Sequence, residues 1–248
     1  MKILEKELKN ASYILFLDIE GTQHSHEVIE IGAYLVKLKP DYTIDKTFEP
    51  ISFKRFCVAH EPVGKIVTSM TGITDNAIKE NGISFLDTMK ELHELISDYD
   101  NEMVVATFGS LDAVMLKKSA NYFKNNKFLK PYIKFLNDRI WDFTTFINRF
   151  VLSEKNQPCS LLKLTEVFNI TPYGSAHDAL NDAIDLFLIY EKMVSSPEIM
   201  AECYLKVLKN NYSIAYSCPI IQKYIKAFLN NELIDFNNFY TDLVRYFE

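Results

Sequence analysis

The alternation of apolar and polar positions sets out a mixed α/β chain. Residues 13–22 are an apolar run interrupted only by Asp18 and Glu20, two acids spaced two apart. This reads as a buried strand. Side chains along a strand alternate faces, so Asp18 and Glu20 emerge together on one of them. Residues 28–36 read as a second strand and residues 43–51 as a weaker third, and the short links between them predict an antiparallel meander. Residues 52–74, broken by Pro62, Gly64 and Gly72, read as a long surface loop. In residues 75–97 the apolar positions Ile83, Leu86, Met89, Leu92, Leu95 and Ile96 keep helical spacing, which predicts a helix with His93 packed or at its surface.

Residues 103–108 form a compact apolar strand. Ser110 then fits a helix N-cap and places Asp112 in the first turn, at the carboxyl end of a strand, where α/β sheets build their sites. A short strand over 139–143 and helices over 144–152 and 158–168, the latter opened by Ser160, follow. A small-residue loop beginning at Gly174 brings His177 and Asp178 to the start of a helix running to residue 193. Asp182 lies just over one turn further, so the histidine and this acid can face one cleft. Pro197 marks a break. The pattern divides the chain into a domain of residues 1–195 and a helical C-terminal extension of residues 196–248, with no internal repeat or low-complexity segment.

Composition narrows the class. With 248 residues, 48% of them hydrophobic, the chain can bury a large core, yet no apolar run approaches the roughly 18 residues of a membrane span. The charged start, Lys2, Glu5, Lys6 and Glu7, is unlike a secretory signal, so a soluble, cytoplasmic protein without membrane association is expected. Cys57, Cys159, Cys203 and Cys218 have no Cys-x-x-Cys spacing and are expected as reduced thiols, which points away from zinc and redox chemistry. His24 and His26 read as a solvated turn.

The net charge of −6 hides an asymmetry that bears on nucleic-acid binding. Residues 113–137 contain no acid and carry Lys117, Lys118, Lys124, Lys127, Lys130 and Lys134, interleaved with Tyr122, Phe123 and Tyr132. Residues 203–231 are also acid-free, with Lys206, Lys209, Lys223 and Lys226. Such windows suit either a solvated helix face or the tracking of a phosphate backbone. The pair Asp18 and Glu20 is the sharper signal: two carboxylates this close repel unless a cation or a proton lies between them, which suggests an oxygen-ligand metal site.

Taken together, Asp18, Glu20, Asp112, His177 and Asp182 resemble the motifs of the DEDD-type 3′–5′ exonucleases, in the subclass whose third motif is His-x4-Asp. Leu17-Asp18-Ile19-Glu20 with Thr22 resembles the first motif, Phe108-Gly109-Ser110-Leu111-Asp112 the second, and His177-Asp178-Ala179-Leu180-Asn181-Asp182 the third. Glu30-Ile31-Gly32-Ala33 and Thr71-Gly72-Ile73-Thr74 resemble the family's second strand and the loop before its first helix. The resemblance covers roughly residues 10–194. Gly21 stands where many members have Thr, and the frequent His-Asn pair before the second-motif Asp is absent. The aromatic-Gly pair Phe108-Gly109 is closer to the RNA-trimming branch.

This resemblance implies a ribonuclease H-like fold: a mixed sheet of five strands, three antiparallel and two parallel, flanked by helices. It implies hydrolysis of single-stranded nucleic acid, RNA favoured over DNA, from the 3′ end with release of nucleoside 5′-monophosphates. Two ions of Mg²⁺ or Mn²⁺ are implied, since oxygen-only ligands favour such cations. Asp18 would bridge them, Glu20 and Asp182 would help hold one, and Asp112 would support the other through water. His177 would act as general base, in keeping with an imidazole's ordinary titration at about 6.5. Gly21, Thr22, Lys124, Lys127 and Lys130 are expected to meet the substrate. The alternatives are a DNA proofreading or repair exonuclease and a catalytically inactive nucleic-acid-binding module. A third is a haloacid-dehalogenase-type phosphatase, because Asp18-Ile19-Glu20-Gly21-Thr22 is one methylene from that family's Asp-x-Asp-Gly-Thr.

Overall fold

A computed structural model describes residues 2–248. After a short helical turn, α1 (Glu5–Leu8), come three strands: β1 (Tyr13–Gly21), β2 (Val28–Lys37) and β3 (Ile51–Val58). Helices α2 (Lys65–Thr71) and α3 (Asp75–Asn81) precede the two-residue strand β4 (Ile83–Ser84) and helix α4 (Phe85–Ile96). There follow β5 (Met103–Thr107), α5 (Leu111–Ala120), α6 (Leu129–Asn137), β6 (Ile140–Asp142), α7 (Phe143–Ile147), α8 (Leu161–Val167) and α9 (Ala179–Ser195). The C-terminal helices are α10 (Pro197–Asn210), α11 (Tyr212–Ser217), α12 (Pro219–Leu229) and α13 (Asn238–Phe247).

The sheet has six strands in the order β4-β3-β2-β1-β5-β6. Strand β1 pairs antiparallel with β2 and parallel with β5; β2 pairs antiparallel with β3, and β5 parallel with β6. The expected five-stranded mixed sheet is therefore present, and β4, parallel to β3, extends it by a sixth strand. Strands β1, β2 and β3 form an antiparallel meander.

Period-2 alternation of β1 sorts the two layers. Ile14 and Phe16 face a core shared with Ala183, Leu186, Phe187 and Tyr190 of α9. Leu15, Leu17 and Ile19 face the opposite core, with Met89 and Leu92 of α4, Leu116 of α5 and Ile133 of α6. Each of the buried Leu, Ile, Phe and Met side chains among them contributes about 1.5–3 kcal/mol by its burial. The register that puts Phe16 under α9 also puts Asp18 and Glu20 on the α9 face. The helices beyond residue 195 are not a detached module: Met200, Tyr204 and Val207 of α10 and Leu243 and Phe247 of α13 complete the α9-side core together with Leu4 and Leu8. No helix among the described residues is long and apolar enough to cross a membrane.

The third strand lies later than the sequence pattern places it. Over 43–51 the chain is turned by its own acids: Asp41 Oδ1 accepts from Thr43 N and Oγ1, and Asp45 Oδ1 from Thr47 N and Oγ1, leaving only an isolated bridge from Leu38 to Ile44. Pairing with β2 begins at Ile51 and runs through Ser52, Phe53, Lys54, Arg55 and Phe56. The expected loop over 52–74 thus holds a strand and helix α2. The single helix expected over 75–97 is split at Gly82, and Ser84 caps the second part by accepting from Asp87 N at 3.1 Å. The helix expected over 144–152 is the shorter α7, which Asp142 caps by accepting from Thr145 N.

Candidate active site

The site lies where β1 ends, between the N-termini of α5 and α9. Strand β5 brings the chain to the first of these. Gly109 takes φ +114°, a conformation open to glycine, and turns the backbone into α5, while Thr107 Oγ1 donates to Gly109 O at 2.7 Å. Ser110 occupies the N-cap position but makes no side-chain cap. Asp112 is only 6% exposed, and the N–H groups of Ile19 and of Asp112 itself favour its charged form.

Helix α9 reaches the site by other means. Asp178 caps it, accepting from Asn181 N at 3.2 Å. Its first turn lies so close on β2 that a Cβ on Gly32 would stand 2.1 Å from the backbone of Ala179 and Leu180. Glu30, directly across from Glu20 in the β1–β2 pairing and 2% exposed, accepts from Ala179 N at 3.0 Å. Lys54 of β3 bridges Glu30 at 3.2 Å and also bonds the Asp178 carboxylate. Burial alone would lower the Lys54 ammonium, but its bonds to Asp178 and Glu30 outweigh that and raise it.

His177 sits just before the helix in left-handed backbone, φ +62°, and its N–H donates to Asp182 Oδ2 at 3.1 Å. Among the described residues, Glu20, His177 and Asp182 form one group whose ligand atoms lie within 4.8 Å of one another. Asp18 is the centre of the charge: burial first, then the charges of Asp112, Asp182 and Glu20, drive its carboxyl well above the ordinary range. Burial and the neighbouring Asp182, Glu30 and Asp112 push Glu20 to about 8. Burial pushes Asp112 to about 7, against its backbone N–H bonds. Burial likewise raises Asp182 to about 6, opposed by the N–H and ring of His177.

Three of the five motif residues, Glu20, His177 and Asp182, thus share one group of ligand atoms; Asp18 and Asp112 stand outside that group but near enough for the charges of Asp112, Asp182 and Glu20 to act on Asp18. Four carboxylates that cannot all ionise in isolation, with only oxygen atoms and one imidazole as donors, fit hard divalent cations. The other expected contacts stand differently. Gly21 is buried against Met115 Sδ, which a Cβ would meet at 2.9 Å, and Thr22 is 1% exposed with its hydroxyl spent on Ser25 and Glu27 N. Lys124, Lys127 and Lys130 are exposed on the link into α6 and its first turn, without ion-pair partners among the described residues. Glu30 and Lys54 are the site residues that sequence reasoning missed. Alternation from Glu20 across a two-strand register could have found Glu30; Lys54 lay in a segment read as loop.

Comparison with solved structures agrees with this arrangement of elements. The nuclease domain of 3′hExo, a DEDDh family member bound to rAMP, superposes with a TM-score of 0.60 at 18% identity, covering 78% of this chain and 94% of that one. Cell-death related nuclease 4 gives 0.59 at 18% identity over 75% of this chain; the match spans 64% of that protein, less than two thirds of its length. E. coli exonuclease I, in complex with a dT13 oligonucleotide, gives 0.55 at 17% identity, over 75% of this chain and 41% of its own. No protein-family model matches the sequence, and no curated protein does. At these identities the likeness establishes the fold alone: a ribonuclease H-like mixed sheet flanked by helices, as in the 3′hExo nuclease domain.

Proposed function

We propose that this chain is a metal-dependent 3′–5′ exonuclease that hydrolyses single-stranded nucleic acid, RNA in preference to DNA, and releases nucleoside 5′-monophosphates. The observation that supports the reading is the grouping of Glu20, His177 and Asp182 at the end of β1, with the buried Asp18 close enough to feel the charges of Asp112, Asp182 and Glu20. The solved structures that share the fold include one bound to rAMP, one recognising the 3′ end of a histone mRNA stem-loop and one bound to dT13.

Asp18, Glu20, Asp112 and Asp182 would hold two Mg²⁺ or Mn²⁺ ions, which supply an activated water and neutralise the leaving oxygen. His177, exposed at the mouth and beside Glu20 and Asp182, accepts the proton of the attacking water as general base. Asp182 fixes the His177 backbone through its N–H, so the base and this acid keep one relative position. Burial and its acidic neighbours leave Glu20 largely protonated at neutral pH when no cation is present, which couples catalytic competence to cation supply. Lys124, Lys127 and Lys130 track the phosphates upstream.

The test is incubation with 3′- and 5′-labelled single-stranded RNA and DNA, with Mg²⁺ or Mn²⁺ and with chelator. Metal-dependent loss of the 3′ label first, as mononucleotide, is expected, and faster on RNA. Full activity in chelator, or cleavage from the 5′ end, overturns the reading.

A further inference from the structure

Beside the acidic site, the loop joining β1 to β2 is built around a buried carboxylate with no part in the chemistry above. Glu27 is 3% exposed. Its backbone is tied to the residue two beyond Glu20: Thr22 N donates to Glu27 O at 2.8 Å, and Glu27 N donates to Thr22 Oγ1 at 3.0 Å. Its carboxylate faces outward from the loop, accepting from Ser25 Oγ at 3.2 Å, from His60 N at 2.8 Å and from the His60 ring at Nδ1, 2.9 Å. Burial would raise this acid, but the bonds from His60 and its other neighbours outweigh it and the carboxyl lies below the ordinary value, so it is ionised and acts only as acceptor. Nδ1 of His60 therefore carries the hydrogen, and the ring is oriented with its other edge outward.

On that fixed ring lies Tyr122, from the turn after α5. The two rings are stacked, centroids 4.0 Å apart and planes 12° off parallel. They are not core: the His60 side chain is 57% exposed and Tyr122 47%. An aromatic pair locked parallel by a buried anion, yet open to solvent, is costly to order for stability alone. Beside it, residues 121–126 form an open concavity of about 570 Å³ that includes Lys124. Two ties connect the elements that carry the pair to those that carry the acids, and at a helical rise of about 1.5 Å per residue Tyr122 lies about 15 Å along from Asp112, the span of a few nucleotides. Thr22 is two residues past Glu20, and Ser119, near the end of α5, whose first turn carries Asp112, accepts from Val28 N at 2.9 Å.

We propose that the His60–Tyr122 pair is a stacking platform for an unpaired nucleobase a few nucleotides upstream of the scissile bond, with Glu27 as the residue that positions it. The proposal rests on the nucleic-acid reading of the site. Stacking on an aromatic face is tolerant of base identity and is worth about 1–3 kcal/mol per base, and a neighbouring lysine meets the phosphate on the same nucleotide. A substrate too short to reach the platform gains nothing from it.

The experiment measures binding by fluorescence anisotropy of labelled single-stranded oligonucleotides of graded length. It is paired with turnover of the 4-nitrophenyl ester of a nucleoside 5′-monophosphate, which occupies only the metal end. His60→Ala and Tyr122→Ala are expected to weaken binding of the longer oligonucleotides about fivefold or more, to leave the shortest unaffected and to leave ester turnover unchanged. Tyr122→Phe, which keeps the ring and gives up only the hydroxyl that interacts with Glu27, is expected to lose much less affinity than Tyr122→Ala. Equal affinities of parent and alanine variants at every length overturn the platform. So does a parallel fall in ester turnover, which would make the pair a structural clamp. If the parent binds the long oligonucleotides and His60→Ala weakens them, yet no phosphodiester is cleaved, the platform stands and the nuclease reading fails.

Discussion

Two helices deliver the chemistry to β1, and they do so in opposite ways. Helix α5 follows its strand within a few residues, by the turn at Gly109, and Asp112 in its first turn is buried. Helix α9 arrives after a segment whose residues 171–177 are all exposed, and it is docked by residues more than a hundred positions earlier: Gly32 makes room, Glu30 takes an N–H, and Lys54 binds the cap. The first acid is placed by local turn chemistry, the second by long-range packing. His177 and Asp182, which would have to move a proton and hold a cation, are the ones whose position rests on remote residues. Disturbing β2 and β3 should therefore damage the α9 half of the site and spare the α5 half.

Gly32→Ala is the most severe way to separate them. Its new Cβ would meet the α9 backbone at 2.1 Å, and backbone cannot yield as a flexible side chain can. Loss of the cooperative thermal transition, or of soluble protein, is expected. Gly109→Ala meets no atom within 4 Å and carries only the strain of φ +114°, so it should lower the melting temperature by a few degrees and no more. Equal melting temperatures for the two variants would mean that α9 does not need its close seat.

His177→Ala tests the exposed half by chemistry. Turnover of an oligonucleotide should fall by about 10² to 10⁴, the usual contribution of a general base, with cation affinity and melting temperature nearly unchanged. Asp112→Asn should instead weaken cation binding. Parent-like rates in His177→Ala, with the chemical step limiting, would leave the histidine without a proton-transfer role.

The acid cluster has a stability signature of its own. Asp18, Glu20, Asp112 and Asp182 all titrate higher folded than unfolded, so they favour folding fully below about pH 4. That contribution is lost as pH rises through about 6 for Asp182, about 7 for Asp112 and about 8 for Glu20. Glu27 has the opposite sign: its stabilisation is present at neutral pH and is lost as pH falls below the ordinary carboxylate range. In chelator the melting temperature should therefore decline from mildly acidic pH toward pH 8, and Mg²⁺ or Mn²⁺ should raise it most at the alkaline end, where the acids bind cations without first releasing protons. A chelated protein that grows more stable between pH 6 and pH 8 would show that the acids are not crowded as described.

The same contrast explains what the sequence reveals. Strand β1, strand β2, Asp112 behind β5 and the His177–Asp182 helix are legible because each follows from its own local pattern: the apolar periodicity of the strands, the Gly109 turn into α5 and the Asp178 cap of α9. Strand β3 is not: as Phe53, Lys54, Arg55 and Phe56 show, its alternation is blurred on a strand covered by only the two residues of β4 on its outer side, while Asp41 and Asp45 turn the preceding segment by bonds that hydropathy does not register. The split at Gly82 is hidden because apolar spacing continues across it. Glu30 and Lys54 escape notice as site residues because their role exists only after β2, β3 and α9 have met.

Lys54→Ala is the smallest of these effects and the most discriminating. The lysine is about a third exposed, so its ion pairs with Glu30 and Asp178 are partly screened and their loss should cost little stability. Position and charge should respond in different directions. Without the bridge, the Asp178 cap and the loop carrying His177 lose a restraint, and kcat should fall about tenfold, near 1.4 kcal/mol of transition-state stabilisation. At the same time a positive charge is removed from beside Glu30, which faces Glu20, so divalent cations should bind as tightly as in the parent or more tightly. Lys54→Arg, which restores both the charge and the reach to the two carboxylates, should recover most of the rate. Weaker cation binding together with the lower rate, unrescued by arginine, would make Lys54 a general support of the sheet rather than the residue that positions the α9 half of the site.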